Sequence, residues 1–262
     1  MTTTQAQKKD YEILIPSRKR VHNAKNILEL LPTAKLFVDE REAADYAEVV
    51  GDDVIITHKP TNGIVEVRTL AIQQAKARGL FMVDDDLKSV ISIVGRRSRK
   101  ITKPASILRI IDNGFRVADD LGIKLFGWNR NPNPMQFFST DPFGWVGPVA
   151  GIIGVIGKRY IPDKRLTNYE DVDMTMQCLL NDRVVMCDRR YYFDFGRVWK
   201  GVGGLQGVRT SNSEEMDRAF INRKWGIYAN VGMSTNASRK KTSASTGMQI
   251  KVLRKSQLAS TR

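Results

Sequence analysis

The chain has 262 residues, of which 42% are hydrophobic and 27% charged, enough to bury one large α/β core. Lys and Arg number 42 against 28 Asp and Glu, and the formal charge of +14 favours encounter with a polyanion, nucleic acid first among them. No apolar stretch approaches the ~18 residues of a membrane span, the opening MTTTQAQKKD lacks a secretory signal, and Cys178 and Cys187 lack metal-ligand spacing; a cytoplasmic protein with reduced core cysteines and no membrane partner is expected.

In chain order, Tyr11 to Pro16 reads as a short buried strand, followed by a helix on which Ala24, Ile27, Leu28 and Leu31 recur until Pro32 stops it. Lys35 to Val38 and Val54 to Thr57 read as strands around a helix from Arg41 to Tyr46, the short alternation of a parallel sheet. Ile64, Val67, Ala71 and Ala75 define the next helix face, Gly79 caps that helix, and Leu80 to Val83 is a strand running straight into Asp84. A longer helix carries Ile107, Ile111, Phe115 and Ala118, and Ile123 to Phe126 is the strand after it. Trp128 to Trp145, rich in Asn, Pro, Gly and aromatics, exceeds an ordinary connector and reads as a functional loop. Val149 to Ile156 is a Gly-spaced strand, Val172 to Leu180 an amphipathic helix, and Val184 to Cys187 a strand. Beyond Gly196 the pattern weakens, and Ser234 to Ser245 has a composition that does not bury a core. Residues 1–10 are expected to be a flexible start, 11–233 one domain, and 234–262 a basic extension, mobile or ordered by a partner.

In an open parallel sheet, ligands bind outside the carboxyl ends of the strands. Asp84, Asp85 and Asp86 stand at such an end, and two carboxylates one residue apart can hold Mg2+ or Mn2+ against a diphosphate; the alternative is a solvated acidic turn. Arg18, Lys19 and Arg20 follow the first strand and Asp39 the second, so all would converge on one crevice. Arg68 lies on an otherwise apolar helix face beside Ile64, Ala71 and Ala75, where an unpaired charge is costly, so it needs an anionic partner, an aspartate or a phosphate. Glu170, Asp171 and Asp173 open a helix after a polar loop. Capping and the helix dipole alone would stabilise them there, but a carboxylate fixed facing the crevice could take a proton from an attacking hydroxyl. Trp128, Phe137, Phe138, Phe143 and Trp145 surround a loop that also carries Arg130, a combination suited to stacking on bases beside a phosphate contact or to packing as a lid. No acidic residue occurs from Arg218 to Arg262, and Arg96, Arg97, Arg99, Lys100 and Lys103 form a second basic cluster; both read as polyanion surfaces or as solubilising charge.

The strand ending in Pro16, Ser17 and Arg18, then Asp39, the helix with Arg68, the string Phe-Met-Val-Asp-Asp-Asp ending at Asp86, and Tyr-Glu-Asp-Val-Asp-Met from Tyr169 together resemble a GT-A glycosyltransferase, from about Tyr11 to Phe195. The resemblance implies an α/β fold with a Rossmann-like, mostly parallel sheet flanked by helices, plus acceptor-side loops. It implies a nucleotide-sugar donor bound among Pro16, Arg18, Arg20, Asp39, Arg68, Asp84 and Asp85, with Asp39 toward the nucleoside, Arg68 in the nucleotide region and Asp84 on the ribose side. Asp86, with Asp84, would hold the metal; Asp171 would be the general base with Glu170 in reserve; Trp128, Arg130, Trp145 and Asp173 would meet the acceptor. Many members carry a late histidine near the metal or diphosphate, whereas this chain has only the early His22 and His58, so that ligand is missing or replaced.

The compact size, the Trp-Asn-Arg loop and the basic tail look similar to the TET-associated glycosyltransferases of bacteriophages, which decorate hydroxymethylated pyrimidines in DNA. That narrower resemblance implies UDP-glucose or a UDP-pentose such as UDP-arabinose as donor, DNA containing hydroxymethylcytosine as partner, and the infected bacterial cell as location. It agrees with the chemistry, because a hydroxymethyl group is a neutral alcohol that must lose a proton as it attacks. The rival readings are a nucleotidyltransferase, a glycosyltransferase acting on protein or glycan, and a non-catalytic nucleic-acid-binding module.

Overall fold

The computed structural model describes residues 10–129, 133–196, 211–233 and 246–250. Its first half alternates strand and helix: β1 (Tyr11–Ser17), α1 (Val21–Leu30), β2 (Lys35–Asp39), α2 (Ala43–Val50), β3 (Ile55–His58), α3 (Ile64–Gln74) and β4 (Gly79–Val83). A hairpin follows, β5 (Ser89–Val94) and β6 (Arg97–Ile101), then α4 (Pro104–Asp120), β7 (Leu125–Asn129), the two-residue β8 (Phe143–Gly144) and β9 (Ile152–Ile156). The chain continues through α5 (Glu170–Asn181), β10 (Met186–Asp194), α6 (Ser211–Trp225), β11 (Ala229–Met233) and β12 (Thr246–Ile250).

The main sheet has the order β3-β2-β1-β4-β9-β7-β10-β5-β6, with β8 beside β10. β3, β2, β1 and β4 are parallel, β9 runs antiparallel between β4 and β7, and β10 is parallel to β7. The carboxyl ends of β1, β2 and β4 therefore share one edge, and the residues that follow them meet there. All five residues of β4 are buried, as expected of a central strand covered on both faces. One core layer unites β1, β4 and β7 with α1, α2 and α4, through Ile15, Ile27, Phe81, Ile111 and Trp128. The other lies beneath α3, α5 and α6, with Leu14, Ile72, Met82, Val172, Leu179 and Ile221.

Close approach requires glycine at several positions, two of them in β9 and β4. Gly154 of β9 lies under the Phe126 ring, and a Cβ there would stand 2.3 Å from it, so β9 fits between its neighbours only without a side chain. Gly79 is the first residue of β4 and not a helix cap as the sequence pattern suggests: α3 ends at Gln74, and a Cβ on Gly79 would meet Tyr11 and Phe115 at 2.7 Å. Those two rings stack at a centroid distance of 4.1 Å across that space.

The β5–β6 hairpin and α6 are elements that hydrophobic periodicity did not announce. β6 reads Arg-Ser-Arg-Lys-Ile, which has no apolar alternation, and α6 is mostly polar. Cys178 is buried and Cys187 half-buried, and neither is in a disulfide among the described residues. Residues 1–9 and Ser234–Ser245, read as a flexible start and a mobile tail segment, lie outside the described residues; Thr246–Ile250, within the expected extension, forms β12 and pairs antiparallel with β11. No helix among the described residues is long and apolar enough to cross a membrane.

Candidate active site

β4 delivers three consecutive aspartates to the carboxyl edge of the sheet, and their surroundings divide their labour. Asp85 turns inward and is 4% exposed. It accepts hydrogen bonds from Ser17 Oγ, from Arg20 Nη1 at 3.0 Å and from Asn23 Nδ2 at 3.4 Å. Burial pushes its pKa up, and the Ser17 and Arg20 hydrogen bonds oppose the rise. Asp84 and Asp86 stay reachable, their side chains 44% and 39% exposed. Burial, reinforced by the charges of Asp84 and Asp85, also raises the pKa of Asp86, with Arg20 pulling it back from 3.3 Å.

Two arginines bracket these carboxylates. Arg20 precedes α1 and spans Asp85 and Asp86; burial works against its charge, but Asp85, Asp86 and Asp84 outweigh it and hold its pKa above the usual range. Arg68, deep on α3, is 3% exposed. Its Nη1 lies 2.7 Å from Glu170 Oε1 and its Nη2 donates to Asp84 Oδ1 at 3.3 Å. The Glu170 contact is an ion pair of poor hydrogen-bond alignment, since Nε and Nη1 of Arg68 have no hydrogen-bond partner among the described residues. The anionic partner that the sequence demanded for Arg68 is thus internal. Burial opposes the Arg68 charge, and Glu170, Asp84 and Asp171 more than restore it.

The first turn of α5 closes the site. Tyr169, just before it, adopts a left-handed conformation at φ 61 and ψ 24, and Lys19, just before Arg20, has φ 55. Non-glycine residues cost energy there, and such residues gather where the fold over-determines a functional geometry. Glu170 is buried against Arg68, and burial raises its pKa to about 7 against the pull of Arg68, with Asp171 and Asp84 pushing the same way. Asp171 is half-buried, and its Oδ1 accepts from the adjacent Val172 N–H at 2.7 Å. The arrangement offers two reachable aspartates for a cation or a ribose, a locked arginine on either side, and one carboxylate at a helix start that is open to an incoming hydroxyl.

The family model for TET-Associated Glycosyltransferase matches residues 11–198. The chain belongs to the TET-associated glycosyltransferase family. Its mixed, mostly parallel sheet flanked by helices is the GT-A architecture. Among solved structures, S. aureus TarS residues 1–349 in complex with UDP-GlcNAc is similar at 12% identity and TM-score 0.45, covering 83% of this chain and 73% of that one. A mycobacterial protein is similar at 9% identity and TM-score 0.51, covering 92% and 83%. Mannosyl-3-phosphoglycerate synthase from Rubrobacter xylanophilus aligns at 12% identity and TM-score 0.47, covering 92% and 85%. No curated protein sequence matches the chain.

The transferase gathers Arg20, Arg68, Asp84, Asp85, Asp86, Glu170 and Asp171 into one site, while Pro16 and Arg18 lie half-buried at the end of β1 and just beyond it. Arg18 has no ion pair among the described residues. Asp39 ends β2, but Arg41 grips it with Nε at 2.9 Å and Nη2 at 2.7 Å, and these bonds hold its pKa down at about 2. Two expectations are corrected. Trp128 is 2% exposed and packs among Phe81, Phe126 and Phe193, so it is core and cannot stack on a base. Asp173 is fully buried and filled: it accepts from Asp163 N–H, Gln177 and Trp225 and pairs with Lys224 Nζ at 2.7 Å, leaving nothing for an acceptor. Asp85 pairs with Arg20, and Glu170 with Arg68. Trp145 is 42% exposed beside Phe143, while Arg130 lies outside the described residues. His58 is buried against Phe37, its Nδ1 2.7 Å from the Lys59 carbonyl oxygen, which leaves it committed to the core. Ser17 and Asn23 help to fix Asp85, a role the sequence reading did not give them; the signal was their position around the basic triplet Arg18 to Arg20, Ser17 just before it and Asn23 three residues after it.

Proposed function

We propose that the transferase moves a sugar from a nucleotide sugar, a UDP-hexose or UDP-pentose, onto the hydroxyl of a hydroxymethylcytosine-type base in DNA. The observation that carries this reading is the pair of half-exposed carboxylates, Asp84 and Asp86, set between two internally anchored arginines and facing an accessible helix-start carboxylate, Asp171. The family name and the charge of +14 support the polymer acceptor.

The donor set fits Mg2+ or Mn2+. Asp84 and Asp86 are hard oxygen ligands, and no group of three His, Cys, Asp or Glu able to hold a metal occurs among the described residues, so diphosphate oxygens and water would complete the shell. When bound, the cation neutralises charge gathering on the departing diphosphate. Arg20 and Arg68 supply positive charge at the same edge, and Arg18 is free to meet a phosphate. Asp171 accepts the proton of the acceptor hydroxyl as its oxygen bonds to the anomeric carbon and the bond from that carbon to the diphosphate oxygen breaks. Direct displacement inverts the anomeric centre.

The test is mass spectrometry of nucleosides from hydroxymethylated and ordinary DNA after incubation with the protein, Mn2+ or Mg2+ and a panel of nucleotide sugars. A hexose or pentose shift confined to hydroxymethylated DNA is expected, and Asp86→Ala should abolish it while leaving DNA retention unchanged. Donor hydrolysis with no shift on either DNA would move the acceptor to a protein or glycan, and a nucleoside monophosphate shift would make the chain a nucleotidyltransferase.

A further inference from the structure

The β5–β6 hairpin leaves the site directly: Asp86 is separated from β5 by only Leu87 and Lys88, and β6 is the last strand of the main sheet. Arg97 pairs with Val94, so the turn is the two residues Gly95 and Arg96, with Gly95 at φ 59. Arg96, Arg97, Arg99, Lys100 and Lys103 are all exposed, and none has a carboxylate partner among the described residues. Some other surface arginines do, namely Arg41 on Asp39, Arg78 on Asp10 and Asp119, Arg159 on Asp182, Arg165 on Asp163 and Arg189 on Asp141, whereas Arg109, Arg116 and Arg183 stand singly; the hairpin differs in gathering five such cations on one short segment. Cations on an edge strand also block edge-to-edge pairing of copies. That purpose accounts for the strand residues but not for Arg96 in the turn or Lys103 beyond the strand.

We infer that this hairpin is a phosphodiester track that carries the flank of a DNA duplex whose modified base lies at the Asp84–Asp171 site. The inference rests on the DNA-acceptor reading and adds to it where the polymer runs. Alternation along β6 puts Arg97 and Arg99 on one face about 6.8 Å apart, the rise of two base-pair steps at about 3.4 Å each along a DNA strand. Lys100 points to the opposite face. Five strand spacings separate β4 from β6 in the sheet order, or about 24 Å at about 4.8 Å each. That span is about seven base pairs of duplex. A duplex centred on the site reaches the hairpin only if it extends that far to one side.

The experiment is fluorescence anisotropy of a labelled duplex of about thirty base pairs, without hydroxymethyl groups or donor, titrated with the full chain over a range of salt. Arg97→Ser/Arg99→Ser/Lys100→Ser should weaken binding at least tenfold and flatten the salt dependence by about 1.8 in log–log slope, at about 0.9 for each of the two phosphates met by Arg97 and Arg99. Arg97→Lys/Arg99→Lys should keep most of the affinity. With a duplex of about ten base pairs, wild type and the triple variant should converge. UDP binding and the far-ultraviolet spectrum report whether the variants fold. If the triple variant misfolds, Arg96→Ser/Lys103→Ser, outside the strand ladder, decides: a threefold or larger loss supports the track and no loss overturns it. Salt-sensitive binding by wild type with equal binding by the folded triple variant reduces the hairpin to an edge guard. Absence of duplex binding by wild type removes both the track and the DNA acceptor.

Discussion

Arg68→Met removes the cation set against Glu170 while keeping an unbranched apolar side chain in its place. Both partners are almost inaccessible, with side chains 4% and 8% exposed. Burial raises the Glu170 carboxyl to about 7 with Arg68 in place, whereas a glutamate in the unfolded chain titrates near ~4.3. Between those values the folded state keeps a proton that the unfolded state has lost. The contribution to stability is therefore full below ~4.3, falls as pH rises, and levels off once Glu170 ionises near 7. Arg68 is the largest influence opposing that rise, so its removal moves the folded value higher and the fall continues into alkaline solution. Relative to wild type, each further pH unit costs about 1.4 kcal/mol, up to the ~3–5 kcal/mol of a buried charge left without its partner. Urea unfolding with a chelator present, at intervals from about pH 6 to about pH 9, measures this through the free energy in water. The gap between wild type and variant should be small at the acid end and widen above 7, and Glu170→Gln in the same chain should flatten it. A constant gap across the range would refute the coupling.

Asp171→Asn should lower turnover on hydroxymethylated DNA by about 10²- to 10⁴-fold while calorimetry shows unchanged UDP-sugar binding; unaltered turnover would remove it as the base. Asp173→Asn should cost about 1–3 kcal/mol of stability through Lys224 and the Asp163 N–H, with no change in KM for DNA. A raised KM at unchanged stability would restore it to the acceptor side. Gly154→Ala should lose about 1–3 kcal/mol by forcing the Phe126 ring aside, and Phe126→Leu in the same chain should recover part of it; an unchanged Tm would contradict that close packing.

The donor half of the fold was legible because each strand ends on a chemically marked residue. β1 runs into the Arg18 to Arg20 triplet, β2 into Asp39 and β4 into Asp84, and apolar runs fix where those strands stop. Arg68 was legible for a related reason, as a charge on an apolar face. Trp128 and Asp173 were misread because sequence gives type and position but not depth: a tryptophan in an aromatic-rich loop and an aspartate in an acidic helix start look equally exposed on paper. The β5–β6 hairpin escaped because its strand β6 buries almost nothing, and α6 because its polar composition hides Ile221 and Trp225.

The family match stops at residue 198, yet Lys224 and Trp225 of α6 occupy the Asp173 carboxylate on the far side of the turn that carries Asp171. The stretch that defines kinship is therefore shorter than the stretch that braces the proposed proton acceptor, Asp171. A protein trimmed at 198 would keep all of the motifs and lose the clasp behind them. The first turn of its α5 would keep Asp173 without its cation, and the misplacement would surface as lost catalysis in a chain whose signature residues were all intact.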